Sequence, residues 1–208
     1  MKKIFLSMLL AVCAASYCLA DIKFEDNGFI RCGKIKIRMS CISGNWAWRD
    51  TSKLKDVKIS QEDSKFSMSG NCRINSSTVK MAIDSSKAAD GFYQVQGKCT
   101  VTPEQKFARC IWNINYNIND TELTVDGRKV KVTPNGKKGI VFYKAGDKVV
   151  IGQADAKCEI LTGKAVVMVE YAGAKGKDTA SLSIVFPSST GVISGCSSSI
   201  KVREVTEK

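Results

Sequence analysis

From about residue 22 to the C-terminus, apolar and polar residues alternate with period two, and no convincing amphipathic helical stretch interrupts them. Lys34-Ile35-Lys36-Ile37-Arg38-Met39 turns Ile35, Ile37 and Met39 to one side and three cations to the other. The same alternation predicts strands over Val57–Ile59 and Phe66–Ile74 around Gln61–Ser64, and over Val166–Tyr171 and Leu182–Phe186 around Gly173–Lys177. Asp126-Gly127 predicts a two-residue type I′ hairpin in which Leu123 faces Val130. A further turn is expected at Ala145-Gly146-Asp147, between Ile140–Tyr143 and Val149–Ile151.

Phe92–Ile118 carries the most specific pattern. Tyr93, Val95, Gly97, Cys99 and Val101 share one face of its first half; Ala108, Cys110, Trp112, Ile114 and Tyr116 share one face of its second. A hairpin turning at Glu104-Gln105 sets Tyr93 against Tyr116, Val95 against Ile114, Gly97 against Trp112 and Cys99 against Cys110. Apolar meets apolar throughout, and the glycine leaves room for the indole. A one-residue slip would lose every match. These elements predict an all-β fold, an antiparallel sandwich of roughly a dozen strands. The Ser/Gly-rich segment from Pro187 ends in a short strand, Ile200–Val205, with no evident role.

The N-terminus changes the picture of where this happens. Lys2 and Lys3 precede an apolar run from Ile4 to Ala15, and Ser16-Tyr17-Cys18-Leu19-Ala20 ends on a small residue. That is the form of a signal peptide, too short to span a bilayer. The expected organisation is a signal peptide over residues 1–20 and a single domain over 21–208, secreted or periplasmic, with no membrane span. Removing Lys2 and Lys3 lowers the net charge from +12 to +10.

The chain contains no histidine. That excludes Ser-His-Asp and Cys-His catalysis and any imidazole metal site. Of nine cysteines, Cys13 and Cys18 lie in the leader, so seven remain in the mature chain. An odd number leaves at least one thiol without an intrachain partner. Cys32 and Cys41, on one extended segment, would lie about 30 Å apart, far beyond a disulfide's reach of about 7 Å. Cys99 and Cys110 are the disulfide candidate. No CxxC spacing occurs, so no metal ligands and no cofactor are expected.

Candidate ligand-binding residues fall in two groups. Trp46 and Trp48 lie two residues apart, with Arg49 following, so two indoles on one side of a strand could stack on sugar rings beside a hydrogen-bonding cation. The plainer account makes the rings core or edge cover; Trp112, in register with Ile114 and Tyr116, is core. Gln94, Gln96, Asn113 and Asn115 would form an amide face on the predicted hairpin, with donors and acceptors suited to hydroxyls. Outward cations (Lys34, Lys36, Arg38, Lys129, Lys131) suit an anionic surface, or simply guard strand edges. Export and the absence of a nucleic-acid motif exclude nucleic acid as the expected partner.

The order of hairpins from Phe66 to Phe186, with Glu122-Leu123-Thr124-Val125-Asp126-Gly127-Arg128 midway, resembles the large β-sandwich scaffolds of bacterial secreted glycan-associated proteins. The resemblance covers over half the chain and rests on pattern; no catalytic motif matches, so no residue role is carried over. The expected function is an exported, non-catalytic module binding a polysaccharide or other glycan, or an anionic cell-envelope surface. The rivals are a glycoside hydrolase using two of Asp50, Glu62, Asp63, Asp120, Glu122, Glu159 and Glu170, and a structural or adhesive surface subunit. No catalytic residue stands out, and the balance favours a binder over an enzyme.

Overall fold

The computed structural model describes residues 22–43, 47–105, 108–133, 137–153, 156–173, 178–186 and 193–205. The expected leader and Trp46 lie outside these. Apart from one 3-10 turn, Thr51–Lys53, the regular structure among the described residues is all strand. In chain order the strands are β1 (Lys23–Phe24), β2 (Phe29–Cys32), β3 (Ile35–Ser43), β4 (Ala47–Asp50), β5 (Lys55–Glu62), β6 (Lys65–Ile74), β7 (Ser77–Lys87) and β8 (Tyr93–Gln105). They continue as β9 (Ala108–Asn117), β10 (Thr121–Val125), β11 (Arg128–Lys129), β12 (Gly139–Gln153), β13 (Ala156–Tyr171), β14 (Thr179–Val185) and β15 (Ile193–Val205). Their main path, β1-β2-β3-β9-β14-β13-β15-β8-β7-β6-β5, is antiparallel throughout and curls so that its two halves pack face to face. The protein is an all-β antiparallel sandwich. Among the described residues no helix is long and apolar enough to cross a membrane.

Several expected pairings are present. β13 pairs β14 with Val166 opposite Val185 and Tyr171 opposite Ala180. β5 and β6 close at Glu62 and Lys65. The Asp-Gly turn has φ of 49° and 75° at Asp126 and Gly127, and the Val130 amide donates to the Leu123 carbonyl at 2.8 Å. Positive φ at both central residues is what a type I′ turn requires.

Two expectations are corrected. Ala145-Gly146-Asp147 does not reverse the chain; it lies inside β12, at a register shift against β13. The Asp126 carboxylate accepts from the Asp147 and Lys148 amides at 3.0 and 2.9 Å, and the Thr162 hydroxyl donates to the Gly146 carbonyl. With positive φ at Gly163 and Lys164 on β13, these contacts bend the β12–β13 pair, so that one part adjoins β14 and the other β15. The second correction is larger. β8 and β9 share no ladder: β8 pairs β7 and β15, while β9 pairs β3 and β14. They face each other across the core instead, in nearly the predicted register. A Cβ on Gly97 would sit 2.9 Å from Trp112 Cζ2, and Cys99 meets Cys110. Matched apolar faces describe two strands stacked across a core as well as two strands side by side. The last strand is also longer than expected: β15 starts at Ile193 and runs between β13 and β8.

Candidate functional site

The outward face of β5-β6-β7-β8-β15 is concave and polar. Register places Ser60, Ser67, Asp84, Gln96 and Ser199 in one row across five strands. Glu62, Lys65, Ser86, Gln94 and Lys201 form the next. These rows line a depression of about 430 Å³ over β5–β8. A second, of about 720 Å³, shares Asp84, Gln94 and Gln96 and continues over β15 to Thr162 and Gly163 at the β13 bend. Small hydroxyls between longer amides and charges keep the groove open, and the alternation that buries Phe66, Ile83 and Val95 turns these polar groups outward. Such a surface offers donors and acceptors in rows, suited to a polyhydroxylated ligand.

The predicted site residues are not all brought together. Gln94 and Gln96 line the groove, but Asn113 and Asn115 lie on β9, in the opposite half of the sandwich and on its other outer face. Asn113 is engaged within its own sheet, donating to Ser40 Oγ and accepting from Ser183 Oγ, both at 2.8 Å. Trp48 is half exposed on β4, with the Arg38 guanidinium 5.8 Å from its ring centroid. Arg49 donates to the Trp48 carbonyl at 2.8 Å. Neither belongs to the groove. The missed residue is Asp84, at the centre of the first row; its place in the alternation Lys80-Ala82-Asp84-Ser86 shows that it faces outward but not which strands flank it.

The carboxylates considered from sequence separate by what holds them. Asp50 is buried, capping the Thr51–Lys53 turn and paired with Arg38 at 3.3 Å. Glu159 is held by Lys148 at 2.5 Å and Arg203 at 2.6 Å. Burial pushes its carboxyl up, but these two cations outweigh it and leave it below the usual carboxylate range. Glu122 pairs with Lys129 and Glu170 with Lys138. Those salt bridges also neutralise part of the expected cationic surface. Of the set, only Glu62 lines the groove, two strands away from Asp84.

A second cluster lies inside. Cys41 and Cys110 are register partners on β3 and β9; Cys99 and Cys196 are register partners on β8 and β15. The two pairs meet across the core. No disulfide links the described residues, and Cys99 and Cys110 approach to 3.3 Å between sulphurs, against about 2.05 Å for a disulfide bond. Hydrogen bonds from Cys110, Cys41 and Cys99 hold the Cys196 thiol far below its ordinary range. The bond to Cys196 pushes Cys41 and Cys110 up, and the bond to Cys110 leads the causes that raise Cys99. Cys158, by contrast, is raised chiefly by burial and adjoins Cys32, while Cys72 stands apart, also raised by burial.

Fold and site together define an all-β sandwich with a polar groove on one outer face. No protein-family model matches the chain, and no curated protein sequence matches it. Two solved structures are similar in outline. A putative aldose 1-epimerase from Escherichia coli K12 is 12% identical, over 74% of this chain and 69% of its own, with a TM-score of 0.48. A galactose mutarotase related enzyme from Lactobacillus acidophilus is 5% identical, over 86% and 90%, with a TM-score of 0.49. The expectation of a non-catalytic glycan- or envelope-binding module is corrected here. The amide face on which it rested is divided between opposite sides of the molecule: Gln94 and Gln96 line the groove, while Asn113 and Asn115 lie on β9 in the other sheet.

Proposed function

We propose that the protein is a carbohydrate-processing enzyme whose active site is the groove over β5-β6-β7-β8-β15, with a polysaccharide or smaller glycan as substrate. The observation that carries this reading is the row Ser67-Asp84-Gln96-Ser199 beside Glu62-Lys65-Ser86-Gln94-Lys201 on a concave face. Hydroxyls and amides position the sugar; Asp84 and Glu62 supply acid and base, the role histidine cannot take in this chain. Two strand spacings and two residue rises put their backbones about 12 Å apart. Inward-leaning side chains then suit the wider, inverting carboxyl separation of about 6.5–9.5 Å better than the retaining one of about 5 Å. In an inverting step the acid protonates the leaving oxygen, while the base takes a proton from the water attacking the anomeric carbon. Export through residues 1–20 is part of the proposal and would place the activity outside the cytoplasm.

The test is reducing-end release and anomeric NMR on a panel of glycosides, using the purified chain and its Asp84→Asn and Glu62→Gln variants. Turnover by the parent, reduced at least ~100-fold in each variant, is the expected result. A parent that neither turns over nor shifts NMR signals of groove residues with any sugar in the panel overturns it.

A further inference from the structure

The sulphur cluster in the core has a geometry of its own. Cys110 Sγ lies 3.3 Å from Cys99 Sγ and 3.3 Å from Cys196 Sγ. The sulphurs of Cys41, Cys99 and Cys196 all lie within 4.8 Å of one another. Four sulphurs around one tetrahedral ion, each at about 2.3 Å, would be separated by about 3.8 Å; the Cys41, Cys99 and Cys196 set admits that spacing, and Cys110, at 3.3 Å from two of them, would move outward by about 0.5 Å to complete it. Each sulphur comes from a different strand, two from each half of the sandwich.

We propose that Cys41, Cys99, Cys110 and Cys196 form a tetrathiolate site for a soft divalent metal ion, with zinc(II) the first choice. Disulfide pairing accounts less well for the arrangement. A sulphur bonds to one partner, yet Cys110 is equidistant from two, as in a set of ligands sharing a centre. Ordinary core packing accounts for it less well again, since the other inward positions on these strands are mixed in kind and size, from Ala108 to Trp112, and only where the four strands meet are all four residues cysteine. The absence of histidine and carboxylate at this point selects a thiophilic ion over calcium or magnesium. On binding, each ligating cysteine that is still a thiol releases its proton to solvent and no electron changes hands. Four protein ligands fill the tetrahedron, leaving no open position, so the ion would tie β3 and β9 to β8 and β15 rather than act on a substrate. Sequence spacing could not show this site, because its ligands lie on four separate strands and meet only through the topology.

The test uses the full chain, purified without chelator and analysed for metal content, then stripped under reducing conditions and titrated with cobalt(II). One equivalent of zinc per chain is expected. Cobalt should give the intense visible bands of a tetrahedral site and the near-ultraviolet sulphur-to-cobalt charge transfer, saturating at one equivalent. Cys72→Ser should leave both readouts unchanged, and Cys110→Ser should abolish saturation at one equivalent. The parent titration decides the question even if Cys110→Ser does not fold. Absence of the cobalt spectrum in the reduced parent overturns the proposal. So does non-reducing peptide mapping of the isolated protein that finds disulfides among the four, Cys99–Cys110 included.

Discussion

The two faces of β8 answer to different constraints. Inward, Val95, Gly97 and Cys99 meet Met39, Trp112 and Cys110 from the opposing half of the sandwich, and all three are enclosed. Outward, Gln94, Gln96 and Lys98 meet only neighbours in their own sheet and the space of the groove. One strand with period two thus serves a dry interior and a wet surface from adjacent residues. The inner face is specified by volume, because packed interiors leave little space to absorb an added carbon. The outer face is specified by chemistry, because nothing packs against it. Substitutions on the two faces should therefore fail in different measurements.

The largest effect is expected at Gly97→Val. An added Cβ would overlap Met39 Sδ, lie 2.9 Å from the Trp112 ring and 3.1 Å from Ser198 Oγ. Met39 can move, but the buried indole cannot without displacing its own neighbours. Overpacking at such a site costs about 3 kcal/mol, read as a lowered midpoint in urea unfolding. A midpoint within error of the parent would show that the two sheets are not in firm contact there.

Glu159 sharpens the comparison, being an outward residue by alternation with Cys158 and Ile160, yet buried beneath Lys148 and Arg203. Its carboxyl is held below the usual range in the folded chain, so the unfolded state binds the proton more readily. The stability this contributes is present above the unfolded pKa of about 4.3 and is lost as pH falls through the folded value. Glu159→Gln should cost about 2 kcal/mol near neutral pH and flatten the acid limb of a stability–pH profile. An unchanged acid limb would assign that limb to other carboxylates.

Alternation alone made the inner faces legible: Ile35, Ile37 and Met39, or Val95 and Trp112, are buried as the pattern requires. The Asp126-Gly127 turn was legible because few residues tolerate two successive positive φ angles. What the chain did not disclose was adjacency. The match of Gly97 to Trp112 and Cys99 to Cys110 holds across the core, not along a ladder, and hydrophobic complementarity is the same in both cases. For the same reason alternation marks Gln94 and Gln96 as a polar face but does not show that Asn113 belongs to the other sheet or that Asp84 lies opposite Gln96. Cys41 and Cys196 stand 155 residues apart in sequence, and only the curl of the sheet brings their sulphurs together. Gly146-Asp147 carries turn chemistry, yet the chain runs on through a bend in β12, where the distant Asp126 carboxylate accepts from the Asp147 and Lys148 amides.

The smallest expected change in stability belongs to the groove. Asp84 and Gln96 are exposed, sit opposite each other on β7 and β8, and are flanked by Ser67 and Ser199. Their backbone groups are already paired in the ladder, so trimming the side chains removes no core contact and leaves no buried group without a partner. Asp84→Asn and Gln96→Ala should each shift unfolding free energy by less than about 0.5 kcal/mol. Their neighbour Gly97, one residue along the same strand, should shift it about sixfold more on the overpacking value above. Urea titrations of the three variants, read beside glycoside turnover, separate the faces: Gly97→Val should fail in stability, and Asp84→Asn in activity alone. If Asp84→Asn instead destabilises the fold by more than 1 kcal/mol, its carboxylate is part of the sheet's own structure, and the groove loses the residue on which its catalytic reading depends.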